Sequence, residues 1–479
     1  MNQQLATDLT HQTTILEHTL NEATDFLNTL AERSVGAMGT PEQPLTLLTA
    51  LPEHGIGGVA ALEHFKERYL PGMSASPGPR YWGFVTGGST PAALAGDWLT
   101  STLDQNALGS KESIAPWLEA ETMGFLRSLF GLSNNHMGSF VTGATMANVV
   151  GLATARQWVG HELGINIAEE GVAAVGAIPI LSATPHSSTY KALSMVGMGR
   201  NTLQLIQCLP NRESMDIADL ERNLVQLDGR PGIVVASAGT VNTVDFDDLD
   251  AITLLKERYP FWLHVDAAFG GFAACSPKYD HLISGLDEAD SITIDAHKWL
   301  NVPYDGAMQF TQRPDLQAQV FQNAAAYITE LTDPTDYVHR TPESSRRLRA
   351  LPAWFTLIAY GRSGYQEIVE RNCRLVQELA GRIEQSDRFC LLAPVRLNGI
   401  CFTLKNGRSG ASEVSPTMEQ IQDFLNRLTA GGKLFLTPTV LWNRPAIRVS
   451  IVNWQTVEED IEIGWNALLR AAEATSSSG

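Results

Sequence analysis

Cysteine is scarce in this chain. Five occur in 479 residues, at Cys208, Cys275, Cys373, Cys390 and Cys401. The count is odd and no two form a C-x-x-C pair, which leaves a zinc ribbon, a redox dithiol and a disulfide framework without support. Small buried apolar residues in a reducing compartment are the better reading. Basic residues are also short, 34 Lys and Arg against 52 Asp and Glu, for a formal charge of −18. A phosphate backbone or an anionic lipid surface repels such a chain, so neither nucleic acid nor a membrane is expected as a partner. No uninterrupted apolar run reaches the ~18 residues of a spanning helix. The opening Met1-Asn-Gln-Gln-Leu-Ala-Thr-Asp lacks a basic segment followed by an apolar one, and the expected location is the cytoplasm. Hydrophobic residues at 44% and charged ones at 18% make a globular balance.

Several motifs are missing as well. There is no G-x-x-x-x-G-K-[ST]. Gly55-Ile-Gly57-Gly58 does not complete G-x-G-x-x-G. His161-Glu162 lacks a second His four positions after the first, and Gly87-Gly88-Ser89-Thr90-Pro91 lacks the last Gly of a nucleophile elbow. Chemistry must come from His, Asp and Lys at strand ends.

Three regions follow from the patterning. Leu5, Leu9, Leu16, Leu20, Leu27 and Leu30 recur at helical spacing and predict a helix to about residue 34. The Gly- and Pro-rich stretch from Gly36 to Pro79 reads as a wrapping arm, so residues 1–80 form an N-terminal helical arm. Over 81–364, short apolar segments alternate with helical ones. Seven strands are predicted, beginning near Ser139, Ile178, Leu203, Ile233, Trp262, Ser291 and Ala307. The helices between them are Ala144–His161, Ser187–Val196, Ile217–Leu227 and Asp248–Arg258. This order predicts a large α/β domain on a mostly parallel sheet covered on both faces. Residues 365–479 read as a small C-terminal α+β domain, with strands at Phe389–Leu392, Gly399–Leu404 and Ala446–Ile451.

Four segments carry chemistry. In Ser291-Ile-Thr-Ile-Asp295-Ala-His297-Lys298-Trp299 a strand delivers a lysine beyond the carboxyl end of the sheet, where open α/β sheets bind ligands. Desolvation there favours a neutral amine able to form a Schiff base, although a lone lysine is more often a surface residue. In Phe261-Trp-Leu-His-Val-Asp266-Ala-Ala268-Phe-Gly-Gly271 an apolar strand ends in a carboxylate. A buried carboxylate needs a partner such as a protonated pyridine nitrogen; the plainer reading is a helix N-cap. Val141-Thr142-Gly143-Ala144-Thr145 passes from strand to helix, and its backbone N–H groups and the Thr145 hydroxyl suit a phosphate. His186, in Thr184-Pro-His186-Ser-Ser-Thr, follows a strand and precedes a helix, placed either to stack on an aromatic ligand or simply to cap.

With these four in order, the chain resembles the pyridoxal-phosphate-dependent group II amino-acid decarboxylases, which act on aromatic amino acids, glutamate or cysteine sulfinate. The HVDAAFGG and HKW motifs, at Asp266 and Lys298, carry the likeness from about Tyr81 onward. The resemblance implies the aspartate aminotransferase-like fold type I, pyridoxal 5'-phosphate as cofactor and a homodimer. It implies that Lys298 bonds the cofactor, Asp266 pairs with its ring nitrogen, Ala268 and His186 lie on its two faces, and Gly143, Ala144, Thr145 and His297 surround its phosphate. Thr240 matches a threonine near cofactor and substrate, and Arg448 the arginine that receives the substrate carboxylate. Tyr327 matches a loop tyrosine that returns a proton after CO2 leaves, and Phe84 and Thr86 fall at the substrate. Arg346, Arg347 and Arg349 resemble an arginine cluster after that loop.

Two departures stand out. Asp295 occupies a place where many members have Asn, and a carboxylate there repels a phosphate unless it accepts bonds from N–H donors or stays protonated. Gly83-Phe84 matches neither the aromatic nor the glutamate branch, whereas Leu94-Ala-Gly-Asp-Trp-Leu-Thr-Ser-Thr resembles the glutamate and cysteine-sulfinate branch. Trp82, Phe84 and Trp98 near the substrate segment favour an apolar or aromatic L-amino acid, converted to its amine and CO2. The alternatives are an acidic amino acid as substrate, or a decarboxylating aldehyde synthase, against which Tyr327 argues.

Overall fold

The computed structural model describes residues 1–36, 49–109, 113–323, 335–405 and 415–473. Seven strands form the main sheet: β1 (Met137–Val141), β2 (Ile180–Ser182), β3 (Leu203–Leu205), β4 (Gly232–Ser237), β5 (Phe261–Asp266), β6 (Ser291–Asp295) and β7 (Ala307–Thr311). Their order is β1-β7-β6-β5-β4-β2-β3. Only β7 runs against its neighbours; the other pairings are parallel. All residues of β4, β6 and β7 are buried, as helices on both faces require. The helix Ala144–Glu162 packs across β5, β6 and β7. Because β1 is antiparallel to β7, and β7 to β6, the carboxyl ends of β1, β2, β4, β5 and β6 all open on one edge.

A second sheet, in the order β10-β11-β9-β8, is wholly antiparallel. It comprises β8 (Phe389–Leu391), β9 (Gly399–Leu404), β10 (Thr437–Leu441) and β11 (Arg444–Ser450). Strand β10 was not anticipated. It carries Pro438 and joins β11 through Trp442 and Asn443 at positive φ, not through a glycine turn. A proline is tolerated there because β10 is an edge.

The helix Ala350–Glu384 runs across residue 364, bending at Gly361. Ala350, Leu351 and Ala353 lie in the core of the large sheet, whereas Leu375, Val376, Leu379 and Ile383 join Phe389, Phe402 and Phe424 in the second core. Trp82 belongs to that second core, only 1% exposed, with its indole N–H donated to Pro79 O at 2.7 Å.

The N-terminal arm departs from a single helix. Gln3–Thr10 and Gln12–Asn28 are separate helices that break at His11, and Gly58–Arg68 forms a third, packed on the second. The polar sequence of Gly58–Arg68 hides it from a hydrophobic-period reading. Among the described residues no helix is long and apolar enough to cross a membrane.

Candidate active site

The sheet edge opens into a cavity of about 680 Å³. Phe84, Thr86, Gly143, Ala144, Thr145, His186, Thr240, Asp266, Ala268, His297, Lys298 and Arg448 all line it. Residues spread over 365 positions of sequence are thus brought to one place by the parallel strand ends. Tyr327 lies outside the described residues.

Lys298 stands in the one-turn helix Ala296–Trp299 that follows β6 directly. The turn is pinned by close packing. Gly87 N–H donates to His297 O at 3.1 Å, and Asn301 Nδ2 donates to Gly87 O at 2.7 Å and Val452 O at 2.8 Å. The Lys298 side chain is 18% exposed, with its ammonium 5.5 Å from the centre of the Phe269 ring.

Asp266 ends β5 with its carboxylate turned to the cavity. Oδ2 accepts from Asn148 Nδ2 at 3.1 Å, and Oδ1 from Ala268 N at 3.2 Å. Gly143 ends the turn after β1, and nothing lies within 4 Å of where its Cβ would be. The helix that starts there has no side-chain cap, which leaves its first N–H groups without a side-chain acceptor. His186 both lines the cavity and caps: Nδ1 accepts from Ser188 N at 3.2 Å. Burial pushes the His186 pKa below its ordinary value, partly opposed by Asp266.

Asp295 lies close to two nitrogens, without hydrogen-bond geometry to either. Its Oδ1 lies 2.8 Å from His297 Nδ1 and its Oδ2 3.9 Å from Lys298 Nζ. His297 in turn lies against the Tyr304 ring at 4.3 Å between centres.

Arg448, on β11, donates through Nε to Thr437 Oγ1 at 3.1 Å, and Thr437 hydrogen-bonds Gly83 O beside Phe84. Its flank is buried, which lowers its pKa from a very high starting value without discharging it. Among the described residues no carboxylate pairs with it.

One expectation needs correcting. Trp82 sits in the second core and Trp98, 39% exposed, on the helix Pro91–Leu103; neither lines the cavity. Phe84 does, with Tyr304, Met146 and Met195 as further apolar wall. The arginine run does not reach the cavity. Arg346 makes a fully buried two-pronged pair with Glu119 (3.1 and 2.8 Å), Arg347 pairs with Asp97, and Arg349 with Asp305.

Sequence reasoning passed over Glu213 and Asn148. Glu213 lines the cavity and accepts from Thr240 Oγ1 (2.6 Å), Asn242 Nδ2 (3.0 Å), Thr243 Oγ1 (2.8 Å) and Thr243 N (2.9 Å). It lies in a loop, in Asn211-Arg-Glu213-Ser-Met, with no local signal. Asn148 lies one turn into a helix of small residues, where its type alone says little.

The set fits a phosphorylated pyridine aldehyde: an uncapped helix end for the phosphate, a carboxylate for the ring nitrogen and a partly buried amine for the aldehyde. Residues 49–405 match the family model described as the pyridoxal-dependent decarboxylase conserved domain. The aromatic-L-amino-acid decarboxylase of Drosophila lebanonensis is 31% identical over 245 residues, 51% of this chain and 58% of that enzyme. Little more than half the length of that relative is therefore matched. The enzyme of the same name from Cavia porcellus is 28% identical over 429 residues, 85% of each chain. Among solved structures, the Oryza sativa TDC with PLP and tryptamine superposes with a TM-score of 0.88 at 21% identity, covering 97% of this chain and 98% of that one. The architecture is fold type I.

Proposed function

This chain belongs to the pyridoxal-dependent decarboxylase family, whose cofactor is pyridoxal phosphate, and on that premise we propose that it removes the carboxyl group of an aromatic or apolar L-amino acid, leaving the amine and CO2. The observation that carries this reading is Arg448. It is a partly buried guanidinium at the cavity wall with no acidic partner among the described residues, and such a group calls for an anion from outside. A substrate carboxylate supplies one.

When bound, the cofactor provides the electron sink for the bond that breaks. Lys298 supplies the amine that holds its aldehyde, and the Asp266 carboxylate keeps a ring nitrogen protonated. Gly143, Ala144 and Thr145 would receive the phosphate with N–H and O–H donors, and His297 would add a donor beside them. His186 and Ala268, both on the cavity lining, would flank the ring. Arg448 orients the substrate, and Tyr327 returns the proton.

The side chain of the substrate meets Phe84, Tyr304, Met146 and Met195, and among the described residues the lining holds no arginine besides Arg448, with Lys191 as its one further cation beyond Lys298 and the histidines. That wall favours rings and aliphatic groups over a second carboxylate. The relatives named aromatic-L-amino-acid decarboxylase agree with this choice.

We also propose a homodimer in the cytoplasm. Leu5, Leu9, Leu16, Leu20 and Leu27 stay 44–63% exposed along the two N-terminal helices, a face suited to a second copy, and all five cysteines are free thiols.

The test is an amino-acid panel with amine, CO2, aldehyde and peroxide measured together. Phe, Tyr, Trp or a hydroxylated relative should give the highest kcat/KM, with amine as the product. Preference for glutamate, aspartate or cysteine sulfinate refutes the substrate class. Aldehyde as main product refutes the reaction.

A further inference from the structure

We propose that Asn148 is a positioning residue that ties Asp266 and His186 into one directed hydrogen-bond chain, so that His186 presents an Nε2–H donor to the cavity. The inference rests on the reading of the site above.

The direction of the chain is fixed by its ends. The Trp262 indole N–H can only donate, and it reaches Ser291 Oγ at 2.8 Å. A carboxylate can only accept, so the Asn148 atom 3.1 Å from Asp266 Oδ2 is the amide nitrogen. The Asn148 oxygen therefore faces His264 Nε2, 2.9 Å away, and that nitrogen must carry a hydrogen. Burial drives the His264 pKa down to about 4, so the ring is neutral and Nδ1 is left as an acceptor. Ser291, 2.8 Å from Nδ1, satisfies it with its hydroxyl hydrogen. Each donor between Trp262 and Asp266 then meets an acceptor.

The second amide hydrogen of Asn148 sets the other branch. It points to Ser188 Oγ at 3.2 Å, so the Ser188 hydroxyl hydrogen is free to go to His186 Nδ1 at 2.7 Å. The Ser188 backbone N–H also donates to Nδ1. Two donors on one ring nitrogen forbid a proton there. The neutral His186 ring must then hold its hydrogen on Nε2, which has no hydrogen-bond partner among the described residues.

Packing shows that the arrangement is built in. Asn148 and His264 are fully buried. Gly151, one turn further along the same helix, allows the His264 ring to approach: a Cβ there would lie 2.6 Å from its Cε1. The helix that offers its N-terminus to the phosphate thus also delivers the amide that aligns the two groups at the ring.

The test uses the full chain with 15N-labelled histidine, recorded before and after loading with pyridoxal phosphate, beside Ser188→Ala and Asn148→Leu. In the wild type, His186 should show the Nε2–H form, with Nδ1 shifted by hydrogen bonding. In Ser188→Ala the Nδ1 resonance should move part of the way toward the free-imine position, since the backbone N–H of residue 188 still donates, while His264 is unchanged. In Asn148→Leu, kcat on the best substrate of the panel should fall about tenfold or more, with KM within about twofold, as an aligned donor to a charged group is lost. A proton on His186 Nδ1 in the wild type overturns the proposal, as does an unmoved resonance in Ser188→Ala or an unchanged kcat in Asn148→Leu. If no amino acid is decarboxylated, the proposed reaction fails, and the histidine spectra still decide the chain. Should Asn148→Leu not fold, Ser188→Ala carries the decision.

Discussion

Gly87 lies against the backbone of Lys298: a Cβ at position 87 would sit 1.8 Å from the Lys298 carbonyl oxygen. The loop that carries Phe84 and Thr86 is therefore clamped to the turn that presents the amine. Gly87→Ala should displace both, costing about 1–3 kcal/mol or more of stability as an overpacked contact. Thermal melting with cofactor titration checks it. Native stability and affinity in the variant would mean that the clamp gives way cheaply.

Lys298→Ala should abolish turnover without loss of fold, because the cofactor loses its covalent anchor. After borohydride reduction, intact mass should show the cofactor bonded to the wild type and absent from the variant. A bonded cofactor in the variant would assign the role to another lysine.

Arg448→Lys keeps the charge and removes the planar fork. Loss of a charged hydrogen bond of about 1.5–3 kcal/mol corresponds to roughly 10- to 150-fold in kcat/KM. Steady-state kinetics should show this loss for every amino acid tested, since the group recognised is common to all. A loss confined to one side chain would place Arg448 at the side-chain pocket.

Glu119→Gln should destabilise the fold by about 3–5 kcal/mol, because it strands the Arg346 guanidinium where both side chains are 0% exposed. Urea unfolding measures it. The double variant with Arg346→Met should recover part of the loss, and no recovery would show that the backbone bonds of Arg346 to Ala107 and Phe140 matter more.

His264 gives stability a pH dependence. Its pKa is lowered from an ordinary 6.5 to about 4 by burial. Between those values the unfolded chain binds the proton and the folded one resists it, so acidification destabilises. The stability gap between wild type and His264→Gln should move in disfavour of the wild type as pH falls through this window. Asp247, pushed up to about 6 by burial, works in the opposite sense from 3.8 upward, and it cancels in the comparison because both proteins have it. A constant gap would show that the imidazole is already protonated in the fold.

The legible parts of this protein were the ones written in short range. Apolar strands ending in Asp266 and Asp295 announced a sheet edge with polar ends, and the cavity lies there. Asn148 and Glu213 were not legible because their importance comes from partners more than 25 residues away. Trp82 misled for the same reason in reverse: adjacent in sequence to Gly83 and Phe84, it turns away into the second core. Strand β10 was hidden by Pro438, which only an edge position excuses.

The helix Ala350–Glu384 has a consequence for how the chain can be divided. Beyond its break at Gly361 the helix still supplies both cores, Tyr365, Ile368 and Val369 to the first and Leu375, Val376 and Leu379 to the second, and Trp82 reaches from the far end of the sequence into the second. The break at Gly361 does not separate the cores, because residues on its C-terminal side serve both. A fragment beginning at 365 would arrive with a slot where the indole belongs and with Tyr365, Ile368 and Val369 stripped of the core they pack in. The two lobes should therefore melt as a single unit, and engineering that treats the C-terminal lobe as a detachable module would be cutting through a shared beam.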